Sequence, residues 1–133
     1  MLLHATSLYA AILGGLLLYL SIKVIKARRA ARVSVGDGGD EALLRAIRTQ
    51  GNFVEYTPLC LILIGLVEAN GLSVWLVHGL GVLLVAGRGL HALGLAPGDG
   101  KMPFRVRGMQ LTFLAIALAV AANLGGFVWG FVN

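Results

Sequence analysis

One stretch of the sequence, RAIRTQGNFVEYTP at 45–58, contains the side chains best suited to chemistry. Side chains spaced three and four residues apart lie above one another on a helix. The residues that share one face in this way are Arg45, Arg48, Asn52, Glu55 and Tyr56. The stretch runs directly into the apolar LCLILIGLV, and charged residues facing lipid cost about 2.5 to 3.5 kcal/mol each near the bilayer centre. This face must therefore contact protein, water or a ligand.

A packing role is the alternative to a functional one. Arg48 could pair with Glu55, or Arg45 with Asn52, and such pairs would only fix the helix against its neighbours. Other chemistry is poorly supported, since three scattered histidines and one cysteine make no plausible metal site. No protein nucleophile with a general base stands out either, so any chemistry must come from the ligand.

The composition is that of a membrane protein with a single domain, residues 1–133. Its mean hydropathy is +0.86, and 58% of the residues are hydrophobic while only 13% are charged. The net charge of +5 does not indicate nucleic-acid binding, because every Lys and Arg falls in one of two blocks, 23–48 and 88–107. We therefore predict an all-α integral membrane protein.

Apolar runs separated by short polar connections predict a bundle of four transmembrane helices. The expected spans are about 5–30, 41–69, 72–95 and 104–131. Both basic blocks lie at one end of this bundle, which the positive-inside rule places in the cytoplasm. We therefore expect both termini outside and the polar face of the second helix toward the cytoplasm.

Several local features complete this prediction. Gly36, Gly38 and Gly39 permit positive φ in the first connection, and Asp40 is a suitable N-cap for the second helix. Cys60 lies in an apolar run and is expected to be a buried packing residue. Small residues, among them Gly14, Gly15, Ala115 and Ala119, would permit close contacts between helices.

The motifs resemble the MAPEG family, membrane-associated proteins in eicosanoid and glutathione metabolism. The similarity is carried by ARRAARV at 27–33, RAIRTQGNFVEYTP at 45–58, AGRGLH at 86–91 and RVRGM at 105–109. It covers essentially the whole chain and is greatest for the bacterial branch of the family. The family includes microsomal glutathione transferases, leukotriene-C synthase and microsomal prostaglandin E synthase.

The resemblance implies a homotrimer in the bacterial inner membrane that binds glutathione, as a co-substrate, between neighbouring subunits. By position in the motifs, the implied glutathione-binding residues are Arg28 or Arg29, Arg48, Gln50, Asn52, Glu55, Tyr56 and His91. The arginine beside the glutathione sulfur corresponds to Arg105, with Arg107 as the second candidate.

A guanidinium at that position would favour the thiolate, which is the nucleophile. A free cysteine thiol has a pKa of about 8.5, so little thiolate forms at neutral pH without such help. The expected activity is a glutathione transferase, with possible peroxidase activity, acting on a hydrophobic electrophile from the bilayer. Leu95 replaces a tyrosine of the eicosanoid enzymes, so a general transferase is favoured over an eicosanoid synthase.

Two other functions stay open. A small four-helix transporter is one, although such transporters typically carry their essential carboxylate alone in the first helix. A non-catalytic bundle that binds glutathione or lipid is the other, since binding and catalytic residues overlap everywhere except at Arg105.

Overall fold

The computed structural model describes residues 3–94 and 101–132, with side chains through Gly130. Over these residues the chain forms four α-helices, α1 (His4–Ala31), α2 (Glu41–Ala69), α3 (Val74–Gly94) and α4 (Met102–Val132). Each helix is long and apolar enough to cross a membrane. The predicted all-α membrane fold with four helices is confirmed.

The helix limits differ little from those expected. α3 begins at Val74, where the Ser73 carbonyl accepts the backbone N–H groups of Leu76 and Val77. Its expected end at Leu95 lies outside the described residues. α4 begins at Met102, so Pro103 lies in the first turn, where its missing N–H costs no helical hydrogen bond.

The connection between α1 and α2 is held by local hydrogen bonds. α1 is capped by Arg32, the residue after its end, which adopts a left-handed conformation with φ of 57°, and Gly36, Gly38 and Gly39 also have positive φ. Asp40 caps α2 as predicted, because its carboxylate accepts the Leu43 N–H at 2.7 Å. We call this end of the bundle, where α1 and α3 end and α2 and α4 begin, the basic end.

At the opposite end, Glu68 caps α1 from another helix. α1 has no side-chain cap of its own. The two carboxylate oxygens of Glu68 accept the backbone N–H groups of Ala5 at 2.9 Å and Thr6 at 2.8 Å. A negative charge at a helix N-terminus also interacts favourably with the helix dipole. Glu68 thus fixes the start of α1 against the end of α2.

The two central helices are α2 and α3. They contact each other and both outer helices, whereas α1 and α4 make no contact within the described residues. Their shared core is apolar and includes Leu13, Phe53, Ile64, Leu80 and Leu84. Cys60 is fully buried in it, as expected for a packing residue.

The closest helix contact joins α3 and α4 at the basic end, through glycines. A β-carbon added at Gly108 would lie 2.5 Å from the His91 nitrogen and 2.6 Å from the Gly87 oxygen. Gly14 and Gly15 make no close contact within the chain, because a β-carbon at either residue meets open space, and a contact of these residues with another chain stays a prediction. Composition showed that small residues were abundant but not which of them face a neighbouring helix.

Candidate functional site

The predicted polar face of α2 lies on the outside of the single chain. Arg48 and Glu55 are exposed, while Asn52 and Tyr56 are half-buried. The core-facing side of the same helix is formed by Thr49, Phe53, Thr57, Cys60 and Ile64. A membrane-spanning helix does not present an arginine and a carboxylate to lipid without a large cost. Something beyond the single chain must therefore cover this face.

Internal ion pairing does not account for the polar face. Arg45 pairs with Glu41 at 2.5 Å, one turn toward the start of α2. Among the described residues, no ion pair joins Arg48 to Glu55. The packing interpretation, which offered Arg48 with Glu55 or Arg45 with Asn52, therefore lacks the first of its two pairs.

Arg88 on α3 is the buried centre of the site, with an exposure of 1%. Its guanidinium donates to Asn52 Oδ1 on α2 at 2.8 Å and to Thr112 Oγ1 on α4 at 2.8 Å and 3.1 Å. A further bond goes to Met109 Sδ at 3.2 Å. The planar guanidinium holds its N–H donors in a fixed geometry, so it can bind acceptors on two helices at once. Arg88 thus fixes α2, α3 and α4 relative to one another.

The contact with Arg88 determines how Asn52 is oriented. A guanidinium has donors only, so the amide oxygen of Asn52 must face it and the NH₂ group points elsewhere. The ring centre of Tyr56, one turn further along α2, lies 5.8 Å from Arg88 Cζ. The same ring packs edge-to-face on Phe113, with 5.6 Å between the two ring centres. The amide donors of Asn52 are thus directed away from Arg88.

His91 and Arg105 lie on the same side of the bundle as Arg88. His91 is buried with an exposure of 3%, and the backbone of Arg105 packs against Gly94, three residues after His91 on α3. Arg105, Met109 and Thr112 are spaced by four and three, so they share the side of α4 that Arg88 contacts. Arg107 lies on the opposite side of α4. This placement agrees with Arg105 as the first candidate for the catalytic role, which stays a prediction.

The remaining predicted residues lie on the α1 side of the chain. Gln50 donates to Ser21 Oγ on α1 at 3.0 Å, and it is two residues from Asn52, hence on the opposite side of α2. Arg28 donates to the carbonyl oxygens of Ser34 at 3.4 Å and Gly36 at 2.8 Å. Arg29 is exposed. One chain therefore carries the predicted binding residues in two groups on two sides.

The sequence prediction gave no role to Arg88, although it placed this residue at the basic end. A signal was present, since Arg88 stands between Gly87 and Gly89 in an otherwise apolar helix. Gly87 allows α4 to approach, because a β-carbon there would lie 2.7 Å from Thr112 Oγ1. An arginine beside a small residue in a membrane helix indicates a buried guanidinium with partners on the adjoining helix.

Comparison with known proteins agrees with this architecture. The chain is 39% identical over 127 residues to the inner membrane protein YecN of Escherichia coli strain K12, a match that covers 96% of this chain and 95% of YecN. YecN of Escherichia coli O6:H1 matches with the same identity and coverage. The model of the MAPEG family matches residues 6–125. The four apolar helices, the motifs around the polar face of α2 and this match identify the chain as an integral membrane protein of the MAPEG family.

Proposed function

We propose that this protein is a glutathione transferase of the bacterial inner membrane, active as a homotrimer with a site between neighbouring chains. Its substrates would be glutathione and a hydrophobic electrophile that enters from the bilayer. Family membership supports glutathione as the thiol, and the relative named an inner membrane protein supports the location. The basic end of the bundle would face the cytoplasm, with both termini outside.

One observation carries the proposal, namely that the predicted binding residues form two groups on different sides of the chain. The first group, on the exposed side of α2, includes Arg48, Asn52 and Glu55. The second, toward α1, includes Arg29 and Gln50. A site between two chains would bring the first group of one copy against the second group of its neighbour. Such a site would also shield the exposed polar side chains of α2 from the lipid.

The chemistry of these residues fits glutathione, which has two carboxylates, one ammonium, two peptide groups and a thiol. Guanidinium groups of Arg48 and Arg29 suit the carboxylates, and the Glu55 carboxylate suits the ammonium. The amide of Asn52, oriented by Arg88, donates to a peptide carbonyl.

Bound glutathione would supply the nucleophilic sulfur, and the protein would supply the positive field that holds it as a thiolate. Arg105 is the residue assigned to this role, because it lies on the side of α4 that faces Arg88 and α2. A guanidinium close to the sulfur in a poorly hydrated site favours the charged form. The sulfur would then form a bond to an electrophilic carbon, with release of a leaving group or uptake of a proton. In the peroxidase reaction two glutathione molecules would reduce a hydroperoxide to an alcohol and water and be oxidised to their disulfide.

Replacement of one arginine tests this assignment. Arg105→Gln should lower the conjugation rate at neutral pH about tenfold or more, because a neighbouring opposite charge shifts a pKa by about 1 to 3 units. Calorimetry should show that most of the affinity for glutathione is kept. The ultraviolet absorbance of the thiolate, followed across pH on the same sample, should appear only at higher pH than in the unmodified protein.

Arg107→Gln is the matched control, since it removes the same charge at the same end of α4 but on the other side. Its thiolate titration should follow that of the unmodified protein. Equal titrations in both variants would refute the role of Arg105. Binding without thiolate formation in the unmodified protein would favour a non-catalytic bundle, and no binding at millimolar glutathione would favour a transporter or another ligand.

A further inference from the structure

A cavity of about 490 Å³ lies between α1, α2 and α3 at the basic end. This volume is within the range of about 300 to 1,000 Å³ typical of ligand pockets. The cavity exists because small residues line two of its walls, Ala42 and Ala46 on α2 and Gly89 and Ala92 on α3. Leu16 and Leu20 form the α1 wall. We call this space the α1–α3 groove.

The groove presents an apolar surface to whatever occupies it. Thr49 is the one uncharged polar side chain besides Tyr19 in its lining, and its hydroxyl donates to the Arg45 carbonyl at 2.8 Å within α2. The hydroxyl is thereby satisfied, and the methyl group is left for the groove. The walls therefore suit a hydrocarbon chain and offer little to a polar solute.

The groove opens sideways from the bundle, where lipid would be. Tyr19 on α1 and Leu93 on α3 both line it, and they are 55% and 62% exposed. The groove is therefore open to the outside of the bundle beside these two side chains. A hydrocarbon chain from the bilayer could enter there without crossing water.

The groove also carries two positive charges, Lys23 and Lys26. Lys23 Nζ lies 5.2 Å from the centre of the Tyr19 ring, at the edge of the opening. The positive-inside rule explains basic residues at this end of α1 but not which side of the helix they occupy. The neighbouring Arg28 is turned the other way and binds carbonyl oxygens of the connection. The lysines thus form a separate cationic group beside an apolar groove.

The α1–α3 groove is distinct from the site proposed for glutathione. On α2 it is lined by Ala42, Ala46 and Thr49, which lie about a third of a turn around the helix from Arg48 and Asn52. Arg88 and its partners do not line the groove. An occupant of the groove would therefore leave the polar face of α2 free.

We propose that the α1–α3 groove binds an anionic phospholipid of the membrane, with one acyl chain between α1 and α3 and the phosphate at Lys23 and Lys26. The apolar walls, the sideways opening and the paired lysines at one edge match the two parts of such a lipid. Binding is specific for negative headgroups, because a zwitterionic lipid gains no net attraction from the lysines.

Fluorescence quenching by brominated lipids tests this proposal. The parent protein for the test carries Tyr19→Trp, which puts a reporter at the groove, with Trp75→Phe and Trp129→Phe at the opposite end of the bundle. In nanodiscs of phosphatidylcholine, brominated phosphatidylglycerol should quench this reporter at a lower mole fraction than brominated phosphatidylcholine. The selectivity should be about fivefold or more, since one lysine at an anionic surface already contributes about that factor.

Removal of the lysines should abolish the selectivity. In the variant with Lys23→Gln and Lys26→Gln, both lipids should quench the reporter equally. Ala92→Phe, which fills the groove without a change of charge, should also make quenching by the two lipids equal. Arg32→Gln with Lys101→Gln is the matched control, since it removes two charges at the same end but neither residue lines the groove. The control should keep the selectivity, and far-ultraviolet circular dichroism should confirm that all variants are folded.

Three results would overturn the proposal. Equal quenching by the two lipids in the parent would show that the groove has no preference for anionic lipid. An equal loss of selectivity in the control would show attraction to the whole basic end and not to the groove. Stronger quenching by a brominated fatty acid than by phosphatidylglycerol would assign the groove to a single-chain anion.

Discussion

The guanidinium of Arg88 donates hydrogen bonds to acceptors on two neighbouring helices, Asn52 on α2 and Thr112 on α4. Lysine keeps the charge but has a single ammonium, which cannot reach both acceptors in the same geometry. Arg88→Lys should therefore leave at least one buried acceptor unpaired, at a cost of about 1.5 to 3 kcal/mol. The measurement is the thermal unfolding midpoint of the purified protein in detergent, which we expect to fall.

Arg45→Lys is the matched control for Arg88→Lys. Arg45 pairs with Glu41, whose side chain is 75% exposed, and exposed ion pairs contribute only about 0 to 1 kcal/mol. Its unfolding midpoint should stay close to that of the unmodified protein. If the two variants unfolded at the same temperature, the role of Arg88 in holding the helices together would be refuted.

The features of this protein that local physics decides can be predicted from its sequence. Asp40 was recognised as a cap because a carboxylate before a helix accepts its free N–H groups, and the four spans followed from apolar length. The position of Arg88 depends on which side of α3 meets α4, and Glu68 caps a helix far away in the sequence. The glycines beside Arg88 indicate a buried guanidinium, but the sequence around Arg88 or Glu68 does not identify the partner on another helix, so neither contact was predicted. The groove was missed for the same reason, since three helices form it.

The close contact of α3 with α4 can be tested by a substitution at one of its glycines. Gly108→Ala would place a β-carbon 2.5 Å from the His91 nitrogen, and the helices would have to move apart. Overpacking of this kind costs about 1 to 3 kcal/mol. Separation of the helices would also lengthen the bonds from Arg88 to Thr112. We expect a lower unfolding midpoint, measured in the same way.

Gly14→Ala is the control for this pair, because Gly14 is also helical but a β-carbon there meets open space within the chain. Alanine stabilises a helix by up to about 1 kcal/mol relative to glycine. The midpoint of Gly14→Ala should therefore be unchanged or higher. A decrease as large as that of Gly108→Ala would show that contacts between chains, and not the contact of α3 with α4, decide the outcome.

A binding site between neighbouring chains predicts that two defective variants can complement each other when they assemble together. Arg28→Ala with Arg29→Ala removes the α1 group of binding residues, while Arg48→Ala removes the α2 group. Each variant alone should bind glutathione weakly in all its sites. When the two are coexpressed and mix at random, a site is intact if its α1 group comes from one variant and its α2 group from the other.

About one third of the sites in every mixed trimer should be intact, because in a ring of heterologous contacts one of the three neighbouring pairs combines the two intact groups. The measurement is the number of glutathione molecules bound per chain, by calorimetry, in mixed assemblies purified through a different tag on each variant. Separately expressed variants combined after purification in detergent provide the control, because they should not exchange subunits. Binding that stayed at the level of the separate variants would mean that each chain forms its own site, since a site within one chain can never be completed by a neighbour.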